Sequence, residues 1–242
     1  MHILCVIPAR IGSSRLHHKP LQTIADQPLI RLVAQRALDF GFLDHVVVAT
    51  DDRRVADAVA DLDVEAVLTS RRHRNGTERT AAVAQLPRFG AAEIVVNLQG
   101  DEPFVSAESV AGAIAEVRQG ASVGTAGARL DQPKLLDPGT VKVFVDSSGR
   151  ALAFSRRARP MPDVRETAVL HHVGVYAYRP AALSRWASTD PVEEEIAQSL
   201  EQLRPLSYGE HIGVCKLDAA APRGIDTLAD LHEARELVST IN

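Results

Sequence analysis

Cysteine, lysine and long apolar runs are all scarce in this chain. Its two cysteines, Cys5 and Cys215, are too few and too scattered for a disulfide framework or a zinc cluster, which fits a reducing compartment. No run approaches the roughly 18 apolar residues of a membrane span. The apolar start at 3–7 is interrupted by Pro8 and followed by Arg10, too short for a signal-peptide core, so a soluble, cytoplasmic protein is expected. Excess positive charge is missing as well. With 31 acidic and 27 basic residues the net charge is −4, without the basic footprint of a general nucleic-acid binder. Lysine is the scarcest cation: only Lys19, Lys134, Lys142 and Lys216 interrupt a basic complement otherwise made of arginine. Codon bias in a GC-rich genome accounts for most of that preference. The alternative is anion clamping, which the bidentate guanidinium does better than an ammonium.

What is there is ordinary globular material, 45% hydrophobic and 24% charged, in a chain about 1.6 average domains long. The first half alternates short apolar runs with amphipathic stretches. Strands are predicted at 3–7, 45–49, 64–68 and 93–98, and helices at 28–40, 53–60, 78–86 and 106–118. Continuous Val/Ile/Leu runs suit strands buried on both faces, and the alternation predicts a parallel sheet. The second half changes rhythm. A hairpin is predicted from 141–145 and 151–154 across Asp146-Ser-Ser-Gly-Arg150, then a strand at 169–178, helices at 180–187 and 192–203, a strand at 211–216 and a closing helix at 228–238. Together these predict one mixed α/β domain with an inserted β-rich lobe.

In open α/β sheets ligands bind outside the carboxyl ends of the strands, so the loops at 9–20, 50–52, 70–77 and 99–103 are the places to look for chemistry. In the first, Gly12, Ser13 and Ser14 can turn N–H and hydroxyl groups toward a phosphate, while Arg10, Arg15 and Lys19 supply charge. It is neither a P-loop nor a GxGxxG fingerprint, so ATPase and dehydrogenase readings lose support. The loop Asn97-Leu-Gln-Gly-Asp-Glu-Pro103 carries Asp101 on a glycine turn. A carboxylate there suits Mg²⁺, which takes one or two protein oxygens beside phosphate oxygens and waters. Asp226, in Gly224-Ile-Asp-Thr227, is either the second carboxylate or a helix N-cap. Cys5, inside the first strand, reads as a buried inert thiol.

With these residues in view, the chain resembles the CMP-Kdo synthetases (3-deoxy-D-manno-octulosonate cytidylyltransferases) nearly end to end. The anchors are Ile7-Pro-Ala-Arg10, Ser14-Arg-Leu16, Lys19-Pro-Leu21, Ala49-Thr-Asp51, Asn75-Gly-Thr-Glu-Arg79 and Val96-Asn-Leu-Gln-Gly-Asp-Glu-Pro103. Further along come Val141-Lys-Val143, Phe154-Ser-Arg156, His172-Val-Gly-Val-Tyr176, Leu200-Glu-Gln-Leu-Arg204 and Gly224-Ile-Asp-Thr227. The resemblance implies an open, mostly parallel α/β sheet of the Rossmann-like, GT-A-like nucleotidyltransferase kind. It implies a CTP-binding half at about 1–130, an acceptor-binding and dimerisation lobe at about 131–210, and a closing strand and helix at about 211–242. The activity implied is transfer of CMP from CTP to a small acidic acceptor, with release of pyrophosphate, by a Mg²⁺-dependent homodimer.

Carried onto matching positions, the resemblance implies that Arg10, Ser13, Arg15 and Lys19 hold the triphosphate, with Ala9 and Ser14 also binding the nucleotide. Asn75, Gly76, Thr77 and Arg79 surround the cytidine, with Gln99 nearby. Asp101 and Asp226 hold Mg²⁺, and Arg156, His172, Tyr176, Glu201 and Gln202 face the acceptor. Catalysis falls to Lys19, Arg15 and Asp101.

The acceptor side departs from the family. The segment between Arg156 and His172 is shorter than usual, with Met161 where an aromatic is expected and His171 where an arginine is expected. Glu195 and Gln198 stand for two glutamates, and Asp137-Pro-Gly-Thr140 for Asn-Pro-Asn. Either the loop has drifted, or the acceptor is a small phosphonate such as phosphonoformate, which Arg157, Arg159 and Arg165 would suit. Two other classes compete. A GT-A glycosyltransferase would be expected to carry a DxD-like motif, which Gln99-Gly-Asp101 is not. A non-catalytic nucleotide-binding relative would be expected to have lost Arg10, Arg15, Lys19, Asp101 or Asp226, and all are present.

Overall fold

A computed structural model describes residues 2–13, 15–158, 168–221 and 224–241. They form two compact units, one of residues 1–105 with 222–242 and one of residues 106–221. No helix among the described residues is long and apolar enough to cross a membrane.

The first unit is built on β1 (Ile3–Ala9), a two-residue ribbon of β2 (Thr23–Ile24) and β3 (Gln27–Pro28), α1 (Leu29–Leu38), β4 (His45–Thr50), α2 (Arg53–Asp57), β5 (Glu65–Leu68), α3 (Gly76–Ala84) and β6 (Ile94–Leu98). The C-terminal helix Leu228–Ile241 completes it. Its sheet runs β6-β1-β4-β5, and every pairing is parallel. All seven residues of β1 are buried, as an unbroken apolar run in a sheet covered on both faces requires. On α1 the buried positions Leu29, Ile30, Val33, Ala34 and Ala37 form the single stripe of a surface helix. Because the strands are parallel, Ala9, Thr50, Leu68 and Leu98 finish at one edge, and the loops after them share it. The helix predicted at 78–86 starts earlier, at Gly76, because the Asn75 carboxamide caps it by accepting from the Glu78 N–H at 2.9 Å.

The second unit contains α4 (Ala107–Arg118), β7 (Val123–Arg129), α5 (Gln132–Leu136), β8 (Lys142–Val145), β9 (Ala151–Ser155), β10 (Ala168–Tyr178), α6 (Pro180–Ser188), α7 (Glu193–Gln198), α8 (Leu203–Ser207) and β11 (Ile212–Ala220). Its strands run β11-β7-β10-β8-β9. Only β11 and β7 are parallel, and the hairpin β8–β9 is where the sequence places it. The Asp146 carboxylate closes that hairpin by accepting from the N–H groups of Ser148 and Arg150.

The β2–β3 ribbon and α5 were not expected, α2 stops at Asp57 short of the predicted 60, and two further elements of the second unit differ from expectation. No strand is legible at β7, whose sequence Val-Gly-Thr-Ala-Gly-Ala-Arg has only two β-branched residues among glycines and alanines, yet six of its seven residues are buried. Its glycines are there for close approach: a Cβ on Gly124 would fall on the Ala113 carbonyl of α4, and one on Gly127 would meet the Leu170 side chain. The helix predicted at 192–203 stops at Gln198, because Ser199 is left-handed (φ 52°) and ends α7, and a separate helix, α8, begins only at Leu203.

Candidate active site

In the first unit the basic loop folds back into a 3-10 turn at Lys19–Leu21, with Pro20 in its first turn and His18 left-handed just before it. That turn aims Lys19 at two carboxylates from distant segments. Its Nζ donates to Asp101 Oδ2 and, at 2.9 Å, to Asp226 Oδ1. Arg15 reaches the same Asp226 oxygen at 2.9 Å. Burial opposes the charge on Lys19, but Asp101 and Asp226 outweigh it and raise its pKa above that of an ordinary lysine, so it is an ammonium at neutral pH. The loops carrying the two acids are tied together by the Ile225 N–H, which donates to the Asp101 carbonyl at 2.9 Å.

Asp226 is not the helix cap that its position allows. The Thr227 hydroxyl accepts from the Asp230 N–H, and the Asp230 carboxylate accepts from the N–H groups of Asp226 and Thr227. This reciprocal capping box closes the first turn and leaves the Asp226 side chain for the cations. Glu102 lies beside the pair. Burial, then the charges of Asp101 and Asp226, push its carboxyl up to about 8.

The nucleotide-side residues gather at the same edge. Ala9 ends β1 and is buried, Arg10 is exposed, and the Ser13 hydroxyl accepts from the Leu16 N–H at 3.3 Å. Ser14 lies outside the described residues. Gly76 lets the start of α3 approach β1: a Cβ there would stand 3.1 Å from Pro8 Cγ and 3.2 Å from Gln99 Oε1. Gln99 is oriented by its Nε2, which donates to Asn97 Oδ1 at 3.3 Å. Thr77 and Arg79 are buried. Arg79 donates to Thr69 Oγ1, lies 3.8 Å from Asp51, and has its pKa lowered by burial. Asp51 joins two parts of the edge, since its other oxygen accepts from the Ile11 N–H at 3.0 Å.

The residues expected to face the acceptor lie in the second unit. His172 is buried, with its ring 5.3 Å from Tyr176 and edge-on to Phe154 at 5.2 Å. Burial drives its pKa down to about 3. The Tyr176 hydroxyl is pushed well above its usual range by burial, then by Tyr178 and Glu201. Gln202 is buried, and Glu201 half-buried. Arg156 braces its surroundings: Nε donates to Gln198 O at 3.0 Å, and Nη1 donates to Pro138 O and Gly139 O. Lys142, fully buried, donates to the carbonyls of Asp137, Thr140 and Arg156. Arg157 is exposed, while Arg159, Met161 and Arg165 lie outside the described residues.

This geometry has counterparts in known proteins. The cytidylyltransferase family model matches residues 4–212. The 3-deoxy-manno-octulosonate cytidylyltransferase of Gemmatimonas aurantiaca is 45% identical, the match covering 97% of this chain and 93% of that one. The enzyme of the same name from Methylococcus capsulatus is 43% identical, over 97% and 96% of the two chains. A solved CMP:2-keto-3-deoxy-manno-octonic acid synthetase complexed with CTP superposes with a TM-score of 0.89 at 38% identity, covering both chains completely. The chain belongs to the CMP-Kdo synthetase family. As a member it is a cytidylyltransferase on an α/β nucleotidyltransferase fold, and the glycosyltransferase and non-catalytic readings fall away.

In the first unit, three residues beside the predicted set were assigned no role from sequence: Asp51, Thr69 and Glu102. Asp51 had a signal, a carboxylate directly after a buried parallel strand. Thr69 had none, because a threonine hydroxyl announces itself only through its partners.

Proposed function

We propose that this protein transfers the CMP group of CTP to a 3-deoxy-manno-octulosonate-type sugar acid. A hydroxyl oxygen of the acceptor bonds to the α-phosphorus, the bond from that phosphorus to the bridging oxygen of the β-phosphate breaks, the hydroxyl proton is lost, and pyrophosphate leaves. The carrying observation is the convergence of Asp101 and Asp226 on one cationic group, at the strand edge that also holds the basic loop.

That convergence is also the test of whether the residues fit a metal. The Lys19 ammonium is a cation already accepted between two carboxylates, and Mg²⁺ requires no more protein oxygens than these beside a triphosphate. Asp101 and Asp226 would hold it. When bound, Mg²⁺ would neutralise phosphate charge and polarise the phosphoryl group under attack. The protein's own share is positioning and charge. Arg10, Arg15 and Lys19 attract the triphosphate. Gly76 lets α3 start close against Pro8 and Gln99, and Gln99 and Arg79 stand on the nucleoside side. His172, Tyr176, Glu201 and Gln202, braced by Arg156, receive the acceptor.

The names of the relatives favour a sugar acid over a small phosphonate. A homodimer in the cytoplasm, with the acceptor side contributed by the β-rich lobe, belongs to the same reading. A coupled pyrophosphate assay with CTP and Mg²⁺ should give release with 3-deoxy-manno-octulosonate and none with phosphonoformate. Release with the phosphonate alone would overturn the acceptor assignment, and release with no acidic acceptor would overturn the function.

A further inference from the structure

The register of β10 against β7 slips. Val173 faces Ala126, but the next pair is Tyr176 with Thr125, so Gly174 and Val175 are extra residues forming a bulge. Residues four apart on a regular strand are separated by about 13 Å. The bulge instead brings the rings of His172 and Tyr176 to 5.3 Å between centroids. Thr125, on β7 and fully buried, sits against it. Its hydroxyl has three polar neighbours: the Val175 carbonyl at 2.7 Å, His172 Nε2 at 3.1 Å and the Val173 carbonyl at 3.4 Å. Carbonyls only accept, so the single hydroxyl proton goes to the nearest, Val175. The contact with His172 then needs its proton from the ring, which makes Nε2 the donor and leaves Nδ1 with a bare lone pair.

We propose that Thr125 is a positioning residue for acceptor recognition. It pins the β10 bulge and holds His172 as the Nε2–H tautomer, so that the ring offers Nδ1 to a hydroxyl group of the acceptor. The inference rests on the acceptor-side role given to His172 above. Its consequence is chemical selectivity. A polyhydroxylated sugar acid supplies O–H donors for Nδ1, whereas an ionised phosphonate supplies only oxygens that repel the lone pair. Because burial keeps the ring neutral, it brings no positive charge to offset that repulsion.

The test uses the full ¹⁵N-labelled chain. Long-range ¹H–¹⁵N spectra, with His172 assigned by its disappearance in His172→Gln, should show a protonated Nε2 and an unprotonated Nδ1. Thr125→Val should abolish the single tautomer and raise KM for the sugar acid about tenfold, the loss of one buried hydrogen bond, with KM for CTP unchanged. Thr125→Ser should restore both. A wild-type ring protonated on Nδ1, or a Thr125→Val enzyme with wild-type acceptor KM, overturns the proposal. Should Thr125→Val not fold, the wild-type tautomer and the acceptor KM of Thr125→Ser decide. If no sugar acid is turned over, the function fails, and the His172 spectrum with and without the sugar acid still decides on the tautomer.

Discussion

Asp101 is held by Lys19 on its side chain and by the Ile225 N–H on its carbonyl. Its backbone is therefore fixed independently of its charge. Asp101→Asn keeps the shape and removes the negative oxygen, so kcat should fall about 10²–10³-fold, the scale of losing one electrostatic contact to a transition state. The melting temperature should stay within a few degrees, and near-normal turnover would remove Asp101 from the metal site. His172 gives a different residue-scale prediction. Its pKa falls from 6.5 to about 3 on folding, from burial and then from His171. Folded protein thus refuses a proton that the unfolded chain accepts below about pH 6.5. The resulting stability is fully present above that pH and is lost as pH falls toward 3. The slope approaches about 1.4 kcal/mol per pH unit for this one group. Denaturant melts between pH 7 and 4 should show that decline, and His172→Gln should make it shallower, with His171, lowered by burial to about 4, still contributing.

The break between α7 and α8 is the clearest case at the scale of elements. Ser199 turns left-handed there, and the two helices are held across it by a buried ion pair. Arg204 Nε donates to Glu195 Oε2 at 2.7 Å and Nη2 to Oε1 at 2.5 Å, while Nη1 takes the carbonyls of Trp186 and Thr189. Glu195, which the family pattern marks as one of two spaced glutamates, is thus spent on architecture. Glu195→Gln would take away the carboxylate charge that faces the buried Arg204 guanidinium, at a cost of about 3 kcal/mol. For a chain of this size that is a fall in melting temperature of roughly 6–12 °C, readable by calorimetry. A change of less than a degree would show that the pair contributes nothing. Because Glu201 and Gln202 lie in the turn that this pair fixes, the acceptor KM should rise in the same variant at temperatures where it remains folded.

For the whole molecule, the proposed metal role of Asp101 and Asp226 predicts that activity depends on a divalent cation. Chelation with EDTA should abolish pyrophosphate release, excess Mg²⁺ should restore it, and Asp226→Asn should need more Mg²⁺ for half-maximal rate. Undiminished release in EDTA would exclude the metal role of both acids. The first unit was legible in sequence because its signals are local. Apolar runs mark β1, β4 and β6, and parallel strands necessarily bring their following loops to one edge. β7 was not legible, because a strand of glycine and alanine is chosen by the helix packed on it and not by its own propensity. Nor was the β10 bulge, which consists of a register relative to another strand.

Sequence by itself determined the alternation of strands and helices and the basic and acidic loops, since period and charge are properties of neighbouring residues. Only the tertiary structure decided which charges meet. Lys19 reaches acids 82 and 207 positions away, and Asp226 became their partner instead of a cap because Asp230 was placed to close the helix. Such choices depend on distances between segments that the fold alone brings together, and the hydrogen-bonding capacity of each side chain then permits only one assignment.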